Sequence, residues 1–176
     1  MTRFCGLRKT AGPLACAVLL LAAGSGSAYA VVLSPTSANT GSWTVYHGDP
    51  AGDGVAPPVN SVDTTTSVWT SPALAGQIYG EPLVYADRVY VATENDYVYA
   101  LSAATGAAVW SVHLGSPVPA RSLPCGDITP TVGITGTPVI DQSRGEIFLV
   151  ADEMVGGRPT HRLVGLDTAS GRIEMS

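Results

Sequence analysis

Residues 97–110 read YVYALSAATGAAVW, and this stretch decides the fold class. Its first five residues are aromatic, β-branched or apolar, which favours a β-strand. Thr105 and Gly106 then predict a tight turn, because glycine adopts the positive φ angle of a hairpin and a threonine hydroxyl can bond the turn backbone. A second strand ends near Trp110, whose ring would bury ~200 Å² against a neighbouring sheet. The stretch therefore predicts an antiparallel hairpin that another sheet covers.

Two further strand candidates precede this hairpin, and short turns separate all four. We expect turns at Asp87-Arg88 and at residues 94–96. Four strands joined in this way predict an antiparallel meander. The strands are predicted at residues 82–85, 89–93, 97–101 and 107–112.

The same order of strands and turns recurs later in the chain. Residues 136–141 resemble 80–85, and residues 161–175 resemble the hairpin around Gly106. The spacing between copies grows along the chain, and we expect longer turns at 142–144 and 156–159 to account for it. Repeats of four strands predict an all-β fold, a partial β-propeller of four-stranded antiparallel blades. Each sheet would have an apolar face that only a neighbouring sheet can cover.

The residues that recur form a structural signature of this repeat. An earlier half-copy is visible at residues 67–70, where Ser-Val-Trp-Thr resembles Ala-Val-Trp-Ser at 108–111. Glycines in the two turns would supply positive φ angles, and the tryptophans would pack between sheets. The signature residues are Trp69, Leu101, Thr105, Gly106, Trp110, Leu166, Asp167 and Gly171.

The stretch 97–110 resembles the repeat of pyrroloquinoline-quinone-type, or quinoprotein-like, β-propellers, in which a strand ends in Ala-Leu-Asp, turns at Thr-Gly and closes with Trp. Ser102 replaces the usual Asp, and Met175 stands where the second copy would have Trp. Residues 43–49 resemble the opening segment of such proteins, and residues 123–141 resemble secreted bacterial members. For the quinone-dependent dehydrogenases among them, the resemblance implies a quinone stacked on an aromatic ring, a calcium ion held by carboxylate and amide oxygens, and a catalytic Asp. None of these roles maps onto a position here, so we expect no catalytic, cofactor-binding or metal-ligating residue.

Acidic side chains and histidines occur at several positions outside the signature. Glu94, Asn95 and Asp96 allow two readings, a hairpin turn or a calcium site, and we favour the turn. We expect Asp152-Glu153 to be a solvated pair in a loop. His47, His113 and His161 lack the spacing of a zinc site, so structural hydrogen bonding is expected for each.

The composition and charge of the chain indicate its fold class and disfavour two kinds of ligand. The chain has 176 residues, of which 20 are Gly, 13 are Pro and 13% are charged, which favours short strands and turns over long helices. Its net charge is −5, and removal of Arg3, Arg8 and Lys9 with a leader would leave about −8. An acidic surface without a basic stripe argues against nucleic acid and anionic lipid.

The first thirty residues predict export from the cytoplasm. A basic start, an apolar run at 11–23 and Ala28-Tyr29-Ala30 are typical of a signal peptide cleaved after Ala30. An uncleaved anchor and a lipoprotein modified at Cys16 are the competing hypotheses, and both are disfavoured. We therefore expect a signal peptide at 1–30, a flexible lead-in at 31–41, and a propeller region at 42–176 without a membrane span, in a secreted, extracellular or periplasmic protein. Cys125 would be the single cysteine of the mature chain, either free or paired with a cysteine elsewhere.

Three hypotheses of function follow. The first is a non-catalytic binding or scaffold module, with an unknown protein or small-molecule ligand as partner. The alternative is the N-terminal piece of a quinone-dependent alcohol or polyol dehydrogenase, and only this alternative calls for pyrroloquinoline quinone and calcium. The third is a fragment without activity of its own. With about two blades plus part of another, the sequence is expected to be an incomplete propeller, since closed propellers have ~4–8 blades.

Overall fold

Ten β-strands and one 3-10 turn make up the regular structure of the described residues. The structure is a computed structural model that describes residues 41–58, 65–124 and 126–176. These residues belong to one unit, Ser37–Ser176. The predicted signal peptide, nearly all of the lead-in and Cys125 lie outside the described residues.

The first four strands form an antiparallel sheet, here called blade 1, in the order β1-β2-β3-β4. The predicted meander is therefore present. The first turn lies one residue earlier than expected, at Ala86 and Asp87, because both residues have positive φ angles and Arg88 already pairs with Tyr85. The strands are β1 (Leu83–Tyr85), β2 (Arg88–Ala92), β3 (Tyr97–Ser102) and β4 (Ala108–His113).

A connection of two short strands and the 3-10 turn follows blade 1. Strands β5 (Val118–Pro119) and β6 (Thr131–Val132) pair antiparallel, with the turn at Ala120–Ser122 between them. Pro117 also forms a bridge with Glu153 of the next sheet. The connection is thereby tied to the sheet that follows.

The last four strands form a second antiparallel sheet, blade 2, in the order β7-β8-β9-β10. Its second hairpin corrects two expectations from the sequence. The turn comprises only Gly156 and Gly157, both with positive φ, and Arg158 already pairs with Val155. The extra residues of this copy therefore lengthen the strands, and Asp152-Glu153 lies in a strand instead of a loop. The strands are β7 (Val139–Asp141), β8 (Glu146–Val155), β9 (Arg158–Asp167) and β10 (Ile173–Met175).

The core lies between the two blades. One face of blade 1 and one face of blade 2 meet in a cluster of buried apolar side chains, with Ile134 of the connection among them. Each fully buried aliphatic or aromatic side chain contributes ~1.5–3 kcal/mol, so this cluster is the main source of blade docking. Its members on the blades are Leu83, Tyr90, Ala92, Val98, Ala100, Ile140, Ile147, Leu149, Ala151, Val164 and Leu166.

Candidate interaction face and inter-blade acidic cluster

Blades 1 and 2 share one register, so their positions can be matched without reference to any other protein. Arg88 opposes Ser102 across β2 and β3, and Glu146 opposes Asp167 across β8 and β9. Counting from these pairs matches β2 and β3 as far as Ala92 and Val98 with β8 and β9 as far as Val150 and Leu163. Matched residues face the same side of their sheets, because the side chains of a strand alternate between its two faces.

The matched register identifies an apolar face on blade 2 that the described residues leave uncovered. In blade 1 the face toward blade 2 consists of buried residues: Leu83, Tyr90, Ala92, Val98 and Ala100. The residues of equal register in blade 2 are Val139, Phe148, Val150, Leu163 and Gly165. They lie on its outer side, and Val139, Val150 and Leu163 are 45%, 49% and 53% exposed. We call these five residues the outer face.

The outer face has a shallow depression at its centre. A cavity of about 260 Å³ lies there, bounded by Val139, Phe148 and Leu163 among others. Gly165 leaves room for the Phe148 ring, since a β-carbon at residue 165 would lie 3.0 Å from Cε1 of that ring. The face therefore has a recess into which side chains of a second sheet can insert.

Each of two signature tryptophans contacts the Thr-Gly or Ser-Gly turn of the sheet that follows it in the chain. The Trp69 indole N–H donates to the Ala103 carbonyl at 2.8 Å, and its ring lies against Gly106. The Trp110 indole N–H donates to the Thr168 carbonyl at 3.1 Å, and its ring lies against Gly171. The half-copy at residues 67–70 therefore contacts blade 1 in the same way as blade 1 contacts blade 2.

The other signature residues shape the turns and the blade faces. Leu101 and Leu166 are buried at matched positions of β3 and β9. The Thr105 hydroxyl accepts from the backbone N–H of residue 107, at 3.4 Å. Asp167 Oδ1 accepts from the backbone N–H of Ser170 at 2.8 Å and from its hydroxyl, which lowers the pKa of the Asp167 carboxyl.

Met175 occupies in blade 2 the position of Trp110, because Met175 opposes Gly165 as Trp110 opposes Ala100. Its side chain is 43% exposed. A thioether has no N–H to donate, so Met175 can offer a neighbouring turn apolar contact but not the indole hydrogen bond.

An acidic cluster lies where the β2–β3 turn meets blade 2, and sequence reasoning missed its burial. Residues 94–96 form the turn that the sequence favoured, but Glu94 and Asp96 are 1% and 0% exposed, and Glu153 is 5% exposed. Glu94 Oε2 accepts from the Gly133 N–H at 2.7 Å and from the Thr135 hydroxyl at 3.1 Å. The sequence carried no signal of this burial, because the residues that cover the turn lie far along the chain.

The Asp96 carboxyl is the unusual member of this cluster. Neither of its oxygens has a hydrogen-bond partner among the described residues, and the same is true of Glu94 Oε1. Burial, and next the negative charges of Glu153, Asp152 and Glu94, raise the pKa of Asp96 to about 7, against a smaller opposing effect of Arg162.

Glu153 has a charged partner where Asp96 has none. Arg162 Nε lies 3.1 Å from both carboxylate oxygens of Glu153, and Arg162 Nη2 donates to the Leu114 carbonyl at 2.9 Å. The two residues are diagonal neighbours on β8 and β9, because Glu153 pairs with Thr160 and Arg162 pairs with Ala151. This pair therefore neutralises one buried carboxylate and ties the hairpin to the end of blade 1.

The histidines lie apart from one another. His47 stacks on Tyr46, His113 stacks on Tyr97, and His161 lies beside Asp152 at the exposed end of blade 2. Within residues 41–58, 65–124 and 126–176, no three His, Cys, Asp or Glu side chains are grouped so that they could hold a metal ion. Over the same ranges, none of the helical structure has the length and hydrophobicity that crossing a membrane requires.

A second cavity, of about 490 Å³, lies beside the edge of blade 1. Trp43 forms a bridge with Val84 of β1, and the cavity lies between these residues and Pro57. Its named walls carry no charged group, so it fits an apolar side chain or a small apolar ligand.

One protein family matches most of the chain. The family model described as "Outer membrane protein assembly factor BamB" matches residues 55–174. Among solved structures, the chain is similar to that of BamB from Moraxella catarrhalis, with 20% sequence identity and a TM-score of 0.39. That similarity covers 60% of this chain and 28% of the Moraxella chain. A search of curated proteins found no match.

Proposed function

The chain belongs to the BamB family of quinoprotein-like β-propeller repeat proteins, and from this premise we propose that it is a secreted or periplasmic module that binds proteins and is not itself an enzyme. The outer face of blade 2 carries the proposal. It is an apolar sheet face, exposed at three of its five positions, that matches in register the face by which blade 1 binds blade 2.

The register match identifies the kind of partner. Strand β8 packs its alternate side chains, including Ile147 and Leu149, against the blade 1 face. The outer face offers the same spacing of apolar positions and the same strand direction. We therefore expect it to bind a β-sheet face with alternating aliphatic residues. An assembly factor for outer membrane proteins, as the family is described, also acts on protein partners.

The apolar patch and the charge of the chain support a protein as the ligand. Apolar patches on a soluble protein mark interaction sites more often than they are left to solvent. The acidic balance of the chain, −5 overall, disfavours nucleic acid as the ligand. Export to an oxidising compartment follows from the predicted signal peptide and is part of the same proposal.

The proposal is tested by photo-crosslinking from the outer face in the secreting host. A photoreactive amino acid replaces Val150 or Leu163, and Val109 serves as the matched control because it is also 49% exposed but lies on β4. We expect residues 150 and 163, but not 109, to crosslink to a discrete protein. The purified partner should then bind the wild-type chain and the V109E variant, but not V150E.

Other outcomes contradict the proposal. Equal crosslinking from all three positions would show that the outer face has no preference for a partner. Crosslinks only between copies of the chain would assign the face to self-association, which ultracentrifugation would verify. Crosslinks only within one polypeptide would assign the face to a further sheet of the same protein. Saturable binding of pyrroloquinoline quinone with calcium, measured by calorimetry and followed by turnover of an alcohol, would establish the dehydrogenase alternative.

A further inference from the structure

The backbone around Asp96 holds its side chain in the contact between the blades. The Asp96 N–H donates to the Thr93 carbonyl at 3.1 Å, and the Asp96 carbonyl accepts from the Leu114 N–H at 2.9 Å. The residue has a φ of +56°, in the left-handed region that Asp and Asn tolerate better than most residues. The turn is thus fixed on both sides of Asp96, and its side chain has no exposed surface.

The groups around this carboxyl are mostly negative. Glu94 comes from the same turn, Asp152 and Glu153 come from β8, and Arg162 comes from β9. Arg162 is already engaged by Glu153 and by the Leu114 carbonyl.

The remaining neighbours add no charge that could neutralise Asp96. Segment 131–135 has no titratable residue, and a β-carbon on Gly133 would lie 2.7 Å from Asp96 Oδ1. His113, at the end of β4, stacks on Tyr97 with ring centroids 4.4 Å apart. An ionised Asp96 would therefore be a buried charge without a hydrogen bond, facing three other carboxylates.

We propose that Asp96 makes the contact between the blades sensitive to pH: the docked blades hold its carboxyl group protonated, and ionisation of that group weakens their docking. The cost of an unpaired buried charge far exceeds that of a buried neutral acid, so protonation is the way for this site to remain buried. Among the described residues, no three His, Cys, Asp or Glu side chains are grouped so that they could hold a metal ion beside Asp96. We therefore expect a proton to neutralise the buried Asp96 carboxyl.

The direction of the pH effect follows from the two states of the chain. Burial and the neighbouring carboxylates raise the pKa of Asp96 from 3.8 to about 7, so between these pH values the folded state retains a proton that the unfolded state releases. Stability from this group is complete below about pH 4 and is lost as the pH rises to about 7. The folding equilibrium constant falls by up to about tenfold per pH unit in that window and is level above it.

The test compares the full chain with D96N and D87N in urea unfolding from pH 5 to pH 9. Asparagine imitates the protonated acid and accepts the positive φ angle. Asp87 is a matched control, since it also lies in a hairpin turn with a φ of +59° but is exposed. We expect the ratio of the D96N to the wild-type folding constant to rise by up to about a hundredfold between pH 5 and pH 7. D87N should follow the wild type.

Several results would overturn the proposal. One is a D96N variant with the pH profile of the wild type, and another is a D96N variant less stable than the wild type at pH 8. Stabilisation of the wild type but not D96N by calcium or magnesium at pH 8 would assign the site to a cation. Infrared spectra of wild-type protein with carbon-13 in its aspartate carboxyl groups measure their protonation directly, and this measurement does not depend on a variant that folds. A protonated-carboxyl band in the folded wild type at pH 5 that disappears near pH 7 supports the proposal, and a spectrum without that band at pH 5 rejects it.

Discussion

The indole ring of Trp110 lies against the α-carbon of Gly171, so closely that a β-carbon at residue 171 would lie 2.7 Å from Cε3 of the ring. Trp69 and Gly106 repeat the relationship one repeat earlier, and there a β-carbon on Gly106 would lie closer still to the ring. Each glycine also has a φ of +73°. These positions therefore require glycine for two separate reasons, the backbone angle and the approach of the ring.

Alanine variants of Gly171 and Gly145 separate the effect of the backbone angle from the effect of the ring contact. Gly145 also has a positive φ, +65°, but a β-carbon there meets only Thr168 Oγ1 at 3.7 Å. We expect G171A to lose about 1–3 kcal/mol more unfolding free energy than G145A, because the ring of Trp110 must shift as well. Urea unfolding of the three proteins measures the difference. Equal losses would show that the ring contact contributes nothing.

Replacing Trp110 itself tests the hydrogen bond and the ring in turn. W110F keeps an aromatic ring but removes the N–H that donates to the Thr168 carbonyl, so we expect a loss of about 1 kcal/mol. W110A removes the ring from a position packed against the core, and we expect about 3 kcal/mol. Y79F, which removes an exposed hydrogen bond from the Tyr79 hydroxyl to Gln77, is the control and should change the stability little because water replaces that bond. A W110F variant as stable as the wild type would show that water replaces the bond.

The strands of blade 1 could be predicted from the sequence because they depend on local properties. Alternating aromatic and β-branched residues define β2 and β3, and the Thr-Gly turn defines the start of β4. The sequence predicts the turn before β2 one residue too late, because nothing in it indicates that Ala86 has a positive φ angle. For the second hairpin of blade 2 it predicts too long a turn. Its Gly-Gly pair forms a two-residue turn, and Pro159 lies in a strand, where prolines are uncommon.

The burial of the acidic cluster could not be predicted, because it arises from contacts between distant segments. Asp96 and Glu94 are in a polar turn by sequence, and turns of this composition are usually exposed. They are buried because the segment around Gly133 and the far end of β8 cover them. Glu153 likewise stands in a stretch that reads as polar, and its pairing with Arg162 depends on the hairpin register.

A third prediction concerns Ser102, which occupies the position of Asp167 in the other blade. Ser102 Oγ accepts from the Thr105 N–H at 3.3 Å, whereas Asp167 Oδ1 accepts from the Ser170 N–H at 2.8 Å. We expect S102D to stabilise the protein by up to about 1 kcal/mol at pH 7, because a carboxylate accepts turn N–H groups more strongly than a hydroxyl does.

The pH dependence of this gain provides its control. The Asp167 carboxyl has a lowered pKa in the folded protein, so its stabilising effect is present above its ordinary value of 3.8 and is lost as the pH falls through the lowered value. The gain from S102D should disappear in the same acid range, while S102N should show no such dependence. A gain that persists in acid would mean that packing, not charge, is responsible.

The fourth prediction concerns Arg162 and Glu153. R162M leaves the buried Glu153 carboxylate without its partner, and we expect a loss of about 2–4 kcal/mol, reduced from the value for fully buried pairs because Arg162 is partly exposed. The double variant R162M/E153M removes both charges and should recover much of this loss.

The control is R144M, which breaks the exposed pair with Glu146 and should leave the unfolding midpoint unchanged. R162M also removes the positive charge of Arg162, which lowers the pKa of Asp96, so the infrared band of the protonated Asp96 should persist to higher pH than in the wild type. A double variant as unstable as R162M would indicate that Arg162 acts through its bond to the Leu114 carbonyl, and not through Glu153.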